Sequence, residues 1–236
     1  MKDVWSESST QAFDMLQEFT KPSSANLDSG TSGTFEGLKR ITINVIGSVC
    51  FGTEKSWAET TTVGAPPGFK TTFIESIITI VNNLFPTVFI PAKYLSHSIA
   101  PKSMQTVGVA KTEFPLHLRK SIEQERRNPS SKSTLLTSLV KLADQDKKST
   151  TTGGSKTSTY LSEEEIAGNL FTFTIAGFDT TANTLAYAVA MLAMDPQLQD
   201  WIIEQIDEIS QKNPENDYAT TFPLLTRCLA LMVNLF

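Results

Sequence analysis

The sequence predicts an all-α protein. Three observations carry that expectation: apolar residues recur at helical spacing along most of the chain, alternating strand patterns are nearly absent, and one unbroken pattern runs from Ser162 to Met194, far beyond strand length. No internal repeat is found. The 236 residues, 40% hydrophobic with a formal net charge of -5, have an ordinary globular composition with enough chain for a sizeable core. The mildly acidic balance gives no electrostatic reason to expect nucleic acid.

The elements follow in order. Residues 3–20 read as a first helix, with Trp5, Ala12, Phe13, Leu16 and Phe19 near helical spacing. "KPSSANLDSGTSG" is a loop. Residues 34–51 form a second helix with Phe35, Leu38, Ile41, Val45, Ile46 and Val49 on its apolar side, and Gly52 is placed to end it. After a loop over 53–69, a very apolar third helix spans about 70–84. "PTVFIPAKYL" reads as a proline-bounded connector with exposed aromatics. A fourth helix covers about 102–127, which Pro115 should kink or split. A short helix at about 132–143 leads into "DQDKKSTTTGGSKTST", a polar low-complexity linker.

The longest element comes next. Ser162 with Glu165 three residues on is a capping box, and Glu163 and Glu164 suit the positive helix end. The pattern stops at "DP" after Met194. About thirty residues give a rod of ~45 Å, enough to cross a domain. A membrane span is the competing reading of this stretch, but its asparagine, aspartate and threonines fit a buried central helix better. An amphipathic helix follows at about 196–211, with Leu198, Ile202, Ile206 and Ile209 on one side. "FPLLTRCLALMVNLF" closes the chain as a helical start.

Cys50 and Cys228 make no disulfide framework and no CxxC, so a reduced, cytosol-facing environment is the default. The start lacks the apolar core of a signal peptide. His97 and His117 lack ligand spacing and read as surface or packing residues. No phosphate loop or nucleophile elbow is present. Glu163–Glu165 read as a cap rather than a metal site, and "KSIEQERR" as a solvated face.

The long helix carries the chemistry. Asp179 is the one charge between Ile166 and Met194. Ala176 and Thr180 share a face with Phe173 and Thr184, and Gly177 borders it. The small residues leave room against the backbone, and Gly177 with the threonine hydroxyls permits a local widening of the helix. An acid beside an alcohol can relay a proton. The same residues also have a purely structural reading, in which glycine and threonine allow close helix packing and Asp179 pairs with a distant Arg or Lys.

"AGFDTT", Ala176 to Thr181, resembles the A-G-x-D/E-T-T signature of the haem-thiolate monooxygenases, the cytochrome P-450 family. Its setting is similar too: "LSEEEIAGNLFTFTIAG" resembles the entry to that family's long central I helix. "LAYAVAMLAMDPQLQDWIIEQIDEI" resembles its passage into the J helix, and "FPLLTRCLALM" the approach to the K helix. "ITINVIGSVCFG" resembles the E helix and "VWSESSTQAFDML" the D-helix region, in the fungal style. The resemblance implies a partial P-450 fold over residues 1–236. It implies that Ala176 and Gly177 face the distal side of a haem, with Thr181 as support. It makes Asp179 and Thr180 the acid–alcohol pair that delivers protons there, and Phe173, Thr172 and Thr184 the border of the substrate. Residues 73–114 would supply the F and G helices, with "LFPTVFIPAKYL" as a rim for substrate entry or membrane contact.

The family's Phe-x-x-Gly-x-x-x-Cys-x-Gly loop, whose thiolate holds the iron, is not in this sequence. Glu-x-x-Arg after "LALM", the Trp-x-x-x-Arg contact to haem and the N-terminal anchor are not in it either. Neither Cys50 nor Cys228 has the required glycine context, so no metal ligand is assigned. The expectation is an internal piece of a haem-dependent monooxygenase, inactive by itself. The parent would use dioxygen and an NADPH-dependent reductase to hydroxylate an apolar small molecule, anchored at the endoplasmic reticulum. The alternatives are a non-catalytic helical binding protein built on a P-450 remnant and an unrelated membrane helix protein.

Overall fold

A computed structural model describes residues 1–21, 33–53, 55–57, 64–152 (backbone alone for 146–152), 161–215 and 217–233. Among them the regular structure is helical: α1 Lys2–Phe19, α2 Thr34–Phe51, α3 Phe73–Asn82, α4 Leu84–Phe89, α5 Ala92–Leu95, α6 Lys102–Arg127, α7 Leu135–Thr152, α8 Glu163–Met194, α9 Pro196–Lys212, α10 Tyr218–Thr221 and α11 Thr226–Val233. A 3₁₀ turn, Phe222–Leu224, joins the last two. The all-α expectation holds, and no described helix is long and apolar enough to cross a membrane. The chain divides into two units, Met1–Val45 with Phe178–Phe236, and Ile46–Gly177.

In the first unit, α1 meets α2 through a buried amide pair, Asn44 Nδ2 donating to Gln11 Oε1 at 2.8 Å. The approach needs Gly37, where a Cβ would stand 2.6 Å from Met15 Sδ. Gln11 and Met15 therefore face the core, while Phe13 and Leu16, expected there, are exposed. One stripe of a helix can face one neighbour, and the amide pair fixes which. Phe35 and Ile206 likewise turn outward, against expectation, while Ile43 is buried. Ala188, Ile202 and Leu231 form the joint core of α8, α9 and α11. Trp5 meets Tyr218 at a tilt and Phe222 edge-on, at 5.9 and 6.1 Å, which holds α1 to α10 and the 3₁₀ turn after it.

In the second unit, an aromatic chain runs Phe51–Phe73–Phe114–Phe171 with centroid spacings of 4.7, 5.4 and 5.2 Å, linking α2, α3, α6 and α8. Gly52 ends α2 at φ +70°, as its position predicted. α3 starts later than expected because Thr72 and Glu75 form a reciprocal capping box. The expected connector is in fact α4 and α5, two short turns of helix. Pro115 does not split α6: Phe114 and Leu118 on either side are both buried and hold the two halves in one helix. α7 starts where Thr134 and Thr137 cap each other. It continues through Thr152 into residues expected as linker, and 153–160 lie outside the described residues. Of the closing stretch "FPLLTRCLALMVNLF", residues 234–236 lie outside the described residues.

Candidate functional site

The site is carried by α8, so its capping and facing decide what the site presents. Ser162 N donates to Glu165 Oε2 at 2.7 Å and Glu165 N to Ser162 Oγ at 3.2 Å, the predicted capping box. Those backbone and side-chain hydrogen bonds lower the Glu165 pKa. Glu163 pairs with Arg126, and Glu164 with Arg119 at 3.7 Å. The three glutamates are thus a cap and two ion pairs, and no metal-holding cluster occurs among the described residues. Glu125 is buried, accepting from Ser130 N at 2.9 Å, and Arg126 also reaches Asp144. "KSIEQERR" is therefore partly a helix-joining network rather than the purely solvated face expected.

Two rows divide the helix. Ile166, Leu170, Thr174, Phe178 and Ala182, spaced by four, are each 0% exposed. Thr172, Ala176 and Thr180, also spaced by four, are exposed, with Phe173 56% exposed beside them. Ala176 and Phe178 are two residues apart, or roughly 200° around the axis, so the rows lie on opposite sides. The exposed side brings together Thr172, Phe173, Ala176 and Thr180, with Asp179 and Thr184 half-buried at its borders. Thr181 is exposed and Gly177 half-buried, both displaced toward the flank.

The expected local widening is not present: α8 is α-helical from Glu163 to Met194. Thr172, Thr174 and Thr184 instead donate to the carbonyls four residues back, at 2.9, 2.7 and 2.9 Å. Gly177 does serve packing, as one of the two readings held, since it faces Ile46 of α2. The Asp179 main-chain carbonyl accepts from Asn183 Nδ2 at 2.8 Å. Its carboxylate meets no cation or hydrogen-bond donor among the described residues, so the distant-partner reading finds no support.

Cys50 on α2 and Cys228 on α11 are free and half-buried. Burial pushes both thiols up in pKa, away from the thiolate that ligates metals. His117 is a packing residue, as expected: its ring stacks on Phe69 at 4.0 Å and Nε2 lies 3.0 Å from the Thr71 carbonyl. The aromatics of 84–95 are exposed as predicted, Phe85 and Phe89 most of all. Sequence reasoning placed Thr87 within the candidate rim but missed Lys111 and Arg119, which stand with it around a cavity. No periodicity signals a cavity made by four separate helices.

A protein-family model described as Cytochrome P450 matches residues 1–230. The chain is 31% identical over 215 residues to the phomenoic acid biosynthesis cluster cytochrome P450 monooxygenase of Leptosphaeria maculans, covering 86% of this chain and 36% of that protein. It is 28% identical over 218 residues to a cytochrome P450 monooxygenase of Penicillium rubens, covering 87% and 35%. It thus spans little more than a third of the length of these relatives. Among solved structures, the cytochrome P450DA haem domain superposes with a TM-score of 0.61 at 15% identity, over 89% of this chain and 40% of that one, a likeness of fold.

Proposed function

Because the chain belongs to the cytochrome P450 family, we propose that it forms the oxygen-side half of a haem monooxygenase active site, with the exposed row of α8 as its working surface. The observation that carries the reading is the opposition of the two rows. The buried row anchors the helix, and the opposite row leaves an alcohol and a methyl group open beside an acid.

The residues fit one face of the cofactor. Ala176 places no more than a methyl group above the backbone of the open row, which suits a flat macrocycle lying against the helix, and Gly177 borders it from the flank that packs on Ile46. Neither cysteine of this chain stands in the glycine-flanked loop expected of the iron's thiolate, so neither is assigned to it. When bound, haem supplies the redox chemistry of dioxygen activation. The chain's own residues supply position and protons. Thr180 Oγ1 holds a proton at the open row, and Asp179, adjacent and partly in water, returns one to it from solvent. Thr181 supports that pair. Phe173, Thr172 and Thr184 shape the space for an apolar substrate. The exposed run around Phe85 and Phe89 serves as an entry rim or membrane contact. Dioxygen and an NADPH-dependent reductase are the partners of the whole reaction.

The test is a chimera in which residues 163–194 replace the matching helix of the Leptosphaeria relative. The chimera should bind haem and turn over. Thr180→Ala and Asp179→Asn should consume reductant without forming product while haem binding persists. Unchanged coupling of reductant to product in both variants would overturn the reading.

A further inference from the structure

A separate cavity, of about 470 Å³, lies wholly within the unit made of Met1–Val45 and Phe178–Phe236, between the first turns of α1 and the turn that leads into α10. That volume falls in the range of ~300–1,000 Å³ usual for small-molecule sites. From α1, Lys2, Trp5, Ser6 and Ser9 recur every three or four residues and so line it from one face of the helix. Glu215, Asp217 and Tyr218 line it from the other side. Asp217 is satisfied within the protein: Oδ1 accepts from Lys2 Nζ at 3.1 Å, and Oδ2 from Ala219 N at 3.0 Å. Glu215 meets no cation or hydrogen-bond donor among the described residues. One ammonium against two carboxylates leaves the lining with a negative charge in excess, and Glu215 carries it.

The aromatic lining agrees with that sign. Trp5 and Tyr218 meet at 5.9 Å with their planes 57° apart, so the two half-buried rings form a corner. Aromatic rings attract cations, and weakly hydrated alkylated ammonium groups above all. Lys2 shows that an alkylammonium fits here, since its own rests on Asp217, and the hydroxyls of Ser6 and Ser9 are open to a polar ligand atom. We infer that this cavity binds a small organic cation, an alkylated ammonium compound that carries a hydroxyl. Its head lies against Trp5 and Tyr218 with Glu215 as counter-charge, and its hydroxyl meets Ser6 and Ser9. No residue of α8 lines the cavity, so the site stands apart from the open row and from haem.

Choline and dimethylbutanol, its uncharged carbon isostere, titrated against the unmodified chain by calorimetry, test the assignment. The two have the same shape and differ in charge. Choline should bind saturably and at least about tenfold more tightly than the isostere. Glu215 is exposed, so Glu215→Gln leaves the fold alone and should abolish the preference for the cation. Ser9→Trp, at an exposed position of α1, fills the cavity and should remove binding while the helical circular dichroism stays intact. Equal affinity for the two compounds, no saturable binding of choline, a preference that survives Glu215→Gln, or full binding by a folded Ser9→Trp variant would each overturn the proposal.

Discussion

Gly177 of α8 packs directly on Ile46 of α2: a Cβ added to the glycine would stand 3.3 Å from Ile46 Cδ1. That is tight, but the opposing atom is the free end of a flexible side chain. Glycine within a helix costs about 1 kcal/mol relative to alanine. Gly177→Ala should therefore stabilise the chain by up to ~1 kcal/mol once Ile46 yields a few tenths of an ångström. Gly177→Leu drives three further carbons into the same contact and should cost about 1–3 kcal/mol, partly recovered by Ile46→Val. Urea melts of these three variants against the unmodified chain check the signs.

Thr174 and Thr180 are the same residue type on opposite sides of one helix. The Thr174 hydroxyl is fully buried and donates to Leu170 O at 2.7 Å, a carbonyl already within the helix ladder. Thr174→Val keeps the shape and loses a bond worth about 0.5–1.5 kcal/mol net, offset by the apolar methyl gained in the core. Thr174→Val should shift stability by less than ~1 kcal/mol and leave the Leptosphaeria chimera's coupling unchanged. Thr180→Val, on the exposed row, should leave the melt unchanged and uncouple the chimera. Melting and product-per-reductant ratios separate the two effects.

The long helix was readable from the sequence because its cap is local: Ser162 and Glu165 are three residues apart, and "DP" marks the stop. Which side of it faces inward was not readable from charge, since both rows contain threonine and apolar residues. α1 shows the same limit. Phe13 and Leu16 have the right spacing for a core, but the Gln11–Asn44 amide pair, 33 residues apart in sequence, turns the helix so that Met15 is buried instead. Pro115 was a sound local signal for a break, overridden by Phe114 and Leu118 packing on both sides of it. The acid–alcohol pair was legible as a motif, and its exposure emerges only once the opposite row is seen to be buried. The stretch holding Thr87 was legible as a candidate rim, but its meeting with Lys111 was not, because four helices must come together to make that cavity.

The loop before α3 is fastened to α6 by groups that titrate. Glu113 accepts from Lys70 N at 2.9 Å, from Thr71 N at 2.9 Å and from the Thr71 hydroxyl at 2.6 Å. Burial pushes its pKa up, but these hydrogen bonds and the nearby His117 outweigh that and leave it lowered. His117 is also lowered, first by burial and then by Lys120, against the hydrogen bond to Thr71 and the Glu113 charge. Both groups hold fewer protons folded than unfolded, so each adds stability above its unfolded pKa and loses it as pH falls through its folded value. Acidification should weaken the fastening in two stages, first below the usual histidine range and then below the usual carboxylate range. His117→Gln should remove the first stage alone. Amide exchange at Lys70 and Thr71 as a function of pH reads both, and a single carboxylate-range transition in the unmodified chain would contradict the scheme.

Arg126 joins three helices: it pairs with Glu163 on α8 and with Asp144 on α7 at 3.4 Å. The arrangement invites the view that this residue is essential, but its magnitudes argue otherwise. Both carboxylates are about half exposed, 50% and 42%, and remain hydrated if the cation is lost. Pairs of that kind are worth about 0.2–1 kcal/mol each. Arg126 Nε is buried without a hydrogen-bond partner among the described residues, a cost that removal relieves. Arg126→Met, which keeps the packing of the stem, should therefore destabilise by no more than ~1 kcal/mol, with the difference shrinking as salt is raised. Arg126→Lys should recover little of it, since one ammonium cannot span two carboxylates on different helices as the guanidinium fork does. Urea melts at low and high ionic strength decide the point. A loss of ~3 kcal/mol or more that salt does not diminish would mean the three charges act as a desolvated network instead.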